Sequence, residues 1–217
     1  MYKYILFDLD GTLSDPFVGI CTSVQYALKK YGIDVPDISV LKPFIGPPLK
    51  DSFMEYYNIP EEDTDTLMAY YRERFSVTGL YENELYEGMD ILLKDLKEDG
   101  RKLAIASSKP TVFVKKILEY FKIDQYFDVV MGSELNGKRG SKLEVLTEAL
   151  SLLFEDGNMI KEECVMIGDR KFDIEASNAI NVPNIGVSYG YGSIEELTTA
   201  GANVIVNSVN ELRTELF

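Results

Sequence analysis

Residues 5–15 read ILFDLDGTLSD. An apolar run leads into two acidic residues, Asp8 and Asp10, followed by Gly11-Thr12, which carries turn chemistry. Carboxylates at the end of a strand with the composition of a buried one are destabilising unless something offsets their charge. Residues two apart in a regular strand share a face. Asp8 and Asp10 are therefore expected side by side, where two ionised carboxylates repel. What offsets them has to come from elsewhere in the chain.

Working outward, short apolar runs recur at 4–8, 102–107, 127–131, 164–169, 184–187 and 203–206. Helical patterns fall between them, near 89–99, 111–121, 142–153, 171–180, 194–200 and 209–217. Continuous apolar strands alternating with helices predict an α/β fold, a doubly wound, Rossmann-like parallel sheet covered on both faces. Ser141…Glu144, Ser193…Glu196 and Ser208…Glu211 have capping-box spacing at three of the helix starts. Gly100 and Asn181 stand where helices should stop in a left-handed turn.

The rhythm breaks between 15 and 82. This stretch is aromatic-rich, helical in pattern and without a good strand, so it reads as an α-helical insert directly after the first strand. The expected division is a core of 1–14 and 83–217 with an insert of 15–82. FIGPPLKDSF, 44–53, forms a Gly-Pro-Pro hinge entering a helix. Gly46, Pro47 and Pro48 present backbone groups rigidly there, and Lys50 just beyond can reach a substrate carboxylate or a second phosphate.

The 217 residues carry a formal net charge of −14, which argues against nucleic acid or an anionic membrane as partner. The chain has no histidine, so Ser-His-Asp and Cys-His catalysis, phosphohistidine chemistry and His-based metal sites are excluded. Cys21 and Cys164 form no disulfide framework, and a reducing cytoplasm is expected. The first apolar run is cut by Asp8, too short for a signal segment, and no run approaches the roughly 20 apolar residues of a spanning helix. Nothing in the sequence sets the oligomeric state.

In a doubly wound sheet, ligands bind beyond the C-terminal strand ends. Three of those ends carry chemistry: Asp8 and Asp10; Ser107-Ser108-Lys109; and Gly168-Asp169, with Asp173 shortly after. Ser141-Lys142 opens another helix. Lysine at a helix N-terminus is electrostatically disfavoured, which points to a use for it there. Asp8, Asp169 and waters make an all-oxygen site suited to Mg²⁺. Lys142 and Ser107, with backbone N–H groups at the strand ends, can hold a phosphate. A carboxylate facing phosphorus can act as nucleophile and form an aspartyl-phosphate.

These residues resemble the haloacid dehalogenase superfamily. DLDGT matches its first motif, the apolar IASSK its second, Lys142 the lysine of its third, and IGDRKFD, 167–173, its fourth. The likeness spans essentially the whole chain and is greatest to phosphoglycolate-phosphatase-like and 5′-nucleotidase-like members with a small helical cap. It implies that Asp8 is nucleophile and Mg²⁺ ligand. It implies that Asp10 is general acid/base and lends its backbone carbonyl to the metal, and that Asp169 is a further ligand. Ser107, Ser108 and Lys142 would bind the phosphoryl group together with Gly11 and Thr12. Asp173 would support the metal waters or orient Lys142. The strand carrying Asp8 and the one carrying Asp169 would be neighbours, and the insert would close over the site and select the leaving group. Ser108 departs from the family pattern, where Asn is common.

The expected activity is hydrolysis of a small phosphorylated metabolite. A phosphotransferase or mutase of the same fold, a protein-tyrosine phosphatase and a receiver-like phosphoacceptor remain as alternatives. Cys164 to Arg170 also spells C-x5-R, the spacing of cysteine-dependent phosphatases. Its sulfur, however, begins a strand, which at about 3.3 Å per residue lies roughly 13 Å from the loaded strand end. Cys164 is expected to be core packing.

Overall fold

The computed structural model describes residues 1–136, 138–154 and 160–217. It divides into two compact units, one of Met1–Asp15 with Leu85–Phe217, the other Pro16–Glu84.

The second unit is helical. Its helices are α1 (Phe17–Tyr31), α2 (Leu49–Tyr57) and α3 (Thr64–Arg74), the last continued by a π-helical turn, Phe75–Gly79. Gly32 ends α1 in the left-handed region, at φ +99°. Gly19 lets α1 meet the π turn, because a Cβ there would fall 2.0 Å from the Gly79 carbonyl oxygen. Buried Tyr71 stacks on Phe75, half-buried Tyr57 meets Phe44, and Tyr56 meets the same ring from an exposed position. Arg74 pairs with Glu82 at 2.8 Å and donates to Ser23 Oγ.

The first unit holds β1 (Tyr4–Phe7), β4 (Lys102–Pro110), β5 (Val129–Ser133), β6 (Cys164–Gly168), β7 (Asn184–Val187) and β8 (Val204–Val206). Two short strands, β2 (Ser14–Asp15) and β3 (Glu84–Leu85), pair where the chain leaves and returns. The helices are α4 (Met89–Glu98), α5 (Thr111–Phe121), α6 (Lys142–Leu153), α7 (Lys171–Ala179), α8 (Ile194–Thr199) and α9 (Val209–Leu216). The six core strands and the six helices fall on the expected runs.

The sheet runs β5-β4-β1-β6-β7-β8 with every pairing parallel, so the strands carrying Asp8 and Asp169 are neighbours. Alternate residues Leu6, Ala104, Ala106, Met131 and Met166 join Val145, Leu146 and Ala149 of α6 and Ala176 of α7 in one core layer. The intervening Ile5, Phe7, Leu103, Ile105, Val165 and Ile167 are also sealed. This burial on both faces explains the unbroken apolar runs. Ser141, Ser193 and Ser208 each accept from the backbone N–H three residues on, and Ser141–Glu144 closes a full capping box. Asn181 takes φ +56°, and Gly100 φ +80°.

β4 departs from expectation. It runs on to Pro110, past the expected end at Ser107. Its register with β5 jumps from Ser107–Gly132 to Pro110–Ser133, which leaves Ser108 and Lys109 in a bulge.

Candidate active site

Parallel register sets the first contact. Phe7 pairs with Ile105 on one side and Ile167 on the other, so the next residue, Asp8, lies beside the ends of β4 and β6, and its N–H donates to the Ile167 carbonyl. Lys142, the first residue of α6, sends its ammonium into the same place. It donates to the Ala106 carbonyl at 2.9 Å and lies 2.9 Å from Asp8 Oδ1 and 2.7 Å from Asp173 Oδ1. Burial by itself would lower the Lys142 pKa, but Asp173 and Asp8 outweigh it and hold the ammonium above its ordinary value. The two carboxylates also offset a cation at a helix N-terminus.

Carboxylate oxygens of Asp8, Asp169 and Asp173 lie within 4.8 Å of one another, all buried. Asp173 is also the N3 residue of α7, with Oδ2 accepting from the Arg170 N–H, so it serves the helix and Lys142 at once. Asp169 Oδ2 accepts from the Tyr191 N–H, while Oδ1 is buried with no hydrogen-bond partner. Burial, with Asp173 and Asp8 adding to it, pushes Asp169 well above the usual carboxylate range. Asp173 is raised too, since burial outweighs the pull of Lys142.

Three buried carboxylates around one ammonium, with one oxygen orphaned, form a donor set that fits a hard divalent cation. A bound cation reverses the drive to protonate. The cluster contains the expected Asp8 and Asp169 side chains. Asp173 stands in it, whereas the Asp10 side chain does not; the resemblance gave Asp10 only a carbonyl contact.

Glycines clear the space. Gly11 has φ +80°, and Gly168 sits so close to α7 that a Cβ would fall 2.1 Å from Asp173 Cγ. The loop after β7 closes the other side: a Cβ on Gly190 would meet the Gly11 carbonyl oxygen at 2.3 Å. In that loop Tyr189 donates its hydroxyl to the Thr12 carbonyl, and Tyr191 donates its hydroxyl to Asp15 Oδ1. Sequence reasoning gave these tyrosines no place in the site.

β1 ends at Phe7, so strand alternation does not govern Asp10, which instead makes a single bridge to Ser14. Lys109 Nζ lies 2.7 Å from Asp10 Oδ1 and 2.6 Å from Oδ2. Asp8 and Asp10 each face their own lysine, yet they still feel each other, the Asp8 charge adding to the upward shift of Asp10. Burial raises the Asp10 pKa, with Lys109 opposing it. The sequence reading placed Lys109 at a loaded strand end and gave it no role.

Ser107 is buried and accepts from the Lys109 N–H at 3.4 Å. The Ser108 carbonyl accepts from Ser133 Oγ. Thr12 is fully enclosed; its hydroxyl has no partner and its N–H turns onto the Leu9 carbonyl. Gly46, Pro47, Pro48 and Lys50 belong to the helical unit. Gly46 has φ +107°, and Lys50 pairs with Asp65 at 2.5 Å. Cys164 opens β6, and burial, with Glu163 and Glu162 adding to it, pushes its thiol up to about 12. Both cysteines are buried, and neither is in a disulfide.

Residues 5–187 match the haloacid dehalogenase-like hydrolase family. A 5′-nucleotidase of Pseudomonas aeruginosa is 46% identical over 90% of this chain and 87% of its own length. The tyrosine-protein kinase PtkA of Mycobacterium tuberculosis is 34% identical over 99% of this chain and 72% of its own. Among solved structures, a predicted phosphatase from Clostridium acetobutylicum superposes with a TM-score of 0.93 at 50% identity, covering 100% of this chain and 98% of that one. Four motifs converging on one set of strand ends, with this likeness along nearly the whole length, make the chain a member of the haloacid dehalogenase-like hydrolases, and among them a phosphatase.

Proposed function

We propose that this phosphatase hydrolyses a nucleoside 5′-monophosphate, or a phosphate monoester of similar size, through an aspartyl-phosphate on Asp8. The observation that carries the reading is the buried Asp8 carboxylate held against Lys142 beside Asp169 and Asp173. The 46% identity to a 5′-nucleotidase favours the nucleotide over phosphoglycolate, the other small substrate expected from the sequence.

Asp8, Asp169 and the Asp10 carbonyl would hold Mg²⁺, with Asp173 beside them. When bound, such a cation offsets the carboxylates and draws charge from the phosphoryl oxygens. A carboxylate oxygen of Asp8 attacks phosphorus, the bond to the ester oxygen breaks, and Asp10 gives that oxygen a proton. Asp10 then takes a proton from water. The water oxygen attacks phosphorus, the bond to Asp8 breaks, and phosphate leaves. Lys142 keeps Asp8 oriented, and Ser107 with the strand-end N–H groups receives the phosphoryl oxygens. Leaving-group choice is assigned to the helical unit, in and around Gly46, Pro47, Pro48 and Lys50, because all four motifs lie in the other unit. Two buried cysteines outside any disulfide suit a cytoplasmic location, and among the described residues no helix is long and apolar enough to cross a membrane.

A phosphate-release screen tests this. Nucleoside monophosphates, phosphoglycolate, sugar phosphates, pyrophosphate and a phosphotyrosine peptide are compared by kcat/KM in Mg²⁺ and in EDTA, with Asp8→Asn as the blank. Nucleoside monophosphates should rank first, and activity should vanish in EDTA and return with Mg²⁺. No release from any ester, or full activity in EDTA, would refute the reading. The kinase-named relative supports a second reading, in which a tyrosine hydroxyl replaces water as acceptor. Phosphate appearing on an added tyrosine peptide, in place of free phosphate, would favour it.

A further inference from the structure

Lys109 closes the second motif with no role assigned to it, yet it occupies both oxygens of Asp10 from a side chain only 6% exposed, against 12% for Asp10. It gets there through the bulge in β4. In unbroken register the pair after Ser107–Gly132 would be Ser108–Ser133, but Ser133 pairs with Pro110. The bulge is built, not frayed. Ser133 Oγ donates to the Ser108 carbonyl at 2.7 Å, the Gly132 N–H donates to Thr111 Oγ1 at 3.0 Å, and Thr111 Oγ1 donates to the Ser133 carbonyl. Its floor must be glycine: a Cβ on Gly132 would fall 2.3 Å from the Lys109 carbonyl oxygen and 2.9 Å from the Thr111 nitrogen. Bulges of this kind re-aim side chains beside active sites.

We propose that Lys109 is the positioning residue for Asp10, fixing the direction of its carboxylate so that it serves the ester oxygen and then the attacking water. This rests on the reading of Asp10 as the proton-transfer group. Asp10 sits outside β1, on a turn, and a two-point contact with a buried ammonium is what replaces strand geometry in setting its orientation. Loss of that contact leaves Asp8 and Lys142 untouched, so phosphorus attack survives where no proton is needed and fails where one is.

Lys109→Met, Lys109→Arg and Gly132→Ala test the assignment. Single-turnover release of p-nitrophenolate from p-nitrophenyl phosphate reports attack on a leaving group that needs no proton. In Lys109→Met this rate stays within several-fold of wild type, while kcat on an alkyl monophosphate falls about 10²-fold with KM little changed. Lys109→Arg recovers part of the loss, and Gly132→Ala, which alters only the floor of the bulge, reproduces its dependence on the leaving group. Equal losses on both esters, or a rise in KM alone, overturn the positioning role. A crystal structure of Lys109→Met gives an arm independent of turnover. There Asp10 should be displaced or spread over rotamers while Asp8 and Lys142 stay in place, and an unmoved Asp10 overturns the proposal. A wild type that hydrolyses no ester would refute the phosphatase reading, and the crystallographic result would still decide Lys109.

Discussion

Gly11 lies so close to Asp169 that a single added carbon would collide with it: a Cβ on Gly11 falls 2.1 Å from Asp169 Oδ2. The same residue has φ +80°, where a side chain is strained whatever the space. The glycine of the first motif is therefore needed for the aspartate of the fourth. Gly11→Ala should lose more than about 1 kcal/mol of stability, measured by denaturant unfolding in EDTA. An unchanged unfolding midpoint would show that the turn relaxes freely and that the close approach has no consequence.

The orphaned Asp169 Oδ1 and its two acidic neighbours predict stabilisation by Mg²⁺. A ligand that binds only the folded state at 100 times its Kd adds about 2.7 kcal/mol. Melting temperature should rise with Mg²⁺ in the wild type. In Asp169→Asn, which removes one charge from the cluster, the rise should shrink sharply. Equal rises in both proteins would place the ion elsewhere.

Most of the fold was legible because the signals in the sequence are local. The strand of Asp8 is apolar on both faces, and Ser141…Glu144 announces α6 through its capping box. The oddness of Lys142 at a helix start was legible too, and the two carboxylates facing it resolve that oddness. Lys109 was not legible. Its position depends on a register jump between two strands, made possible by Gly132 on the second of them, and no pattern within the Ser-Ser-Lys run encodes that. The argument that set Asp8 and Asp10 on one face held for a regular strand. The strand ends at Phe7, so alternation is not what sets Asp10.

Cys164 should be chemically silent. Its thiol is buried, pushed up to about 12, and donates to the Ile160 carbonyl. The thiolate is the reactive form. Iodoacetamide at pH 8 should leave the native protein unmodified at Cys164 by peptide mass mapping, and Cys164→Ser should keep kcat within a few-fold. Rapid native alkylation together with loss of turnover would revive the C-x5-R reading.

Asp128 should make part of the stability depend on pH. Burial raises its pKa, but the hydrogen bonds from Lys97, Lys102 and the Leu103 N–H outweigh that, and the carboxyl is lowered overall. A depressed folded pKa contributes stability that is fully present above the unfolded value, about 3.9, and is lost as pH falls through the folded one. The difference in unfolding free energy between wild type and Asp128→Asn should stay level from neutral pH down to about 5, then narrow on further acidification. A gap that widens there would reverse the sign assigned to this network.

Asp8 and Asp10 lie two residues apart, yet each faces a different ammonium, Lys142 for the first and Lys109 for the second. Asp8 is further drawn into the Asp169–Asp173 cluster, while the Asp10 side chain stays outside it. Separate surroundings permit separate work. Asp8, inside the cluster, is placed to attack, and Asp10, with its side chain outside it, to carry a proton. Asp8→Asn should abolish the phosphoenzyme, because an amide is a poor nucleophile. Asp10→Asn should slow turnover about 10² to 10⁴-fold, the usual worth of general acid–base catalysis. With p-nitrophenyl phosphate, attack in Asp10→Asn needs no proton donor, but water attack on the intermediate still lacks its base. The phosphoenzyme should therefore accumulate in that variant and be visible as a phosphate adduct by mass spectrometry after rapid acid quench. An adduct on Asp8→Asn, or wild-type turnover in Asp10→Asn, would mean that the two carboxylates do not divide the chemistry in this way.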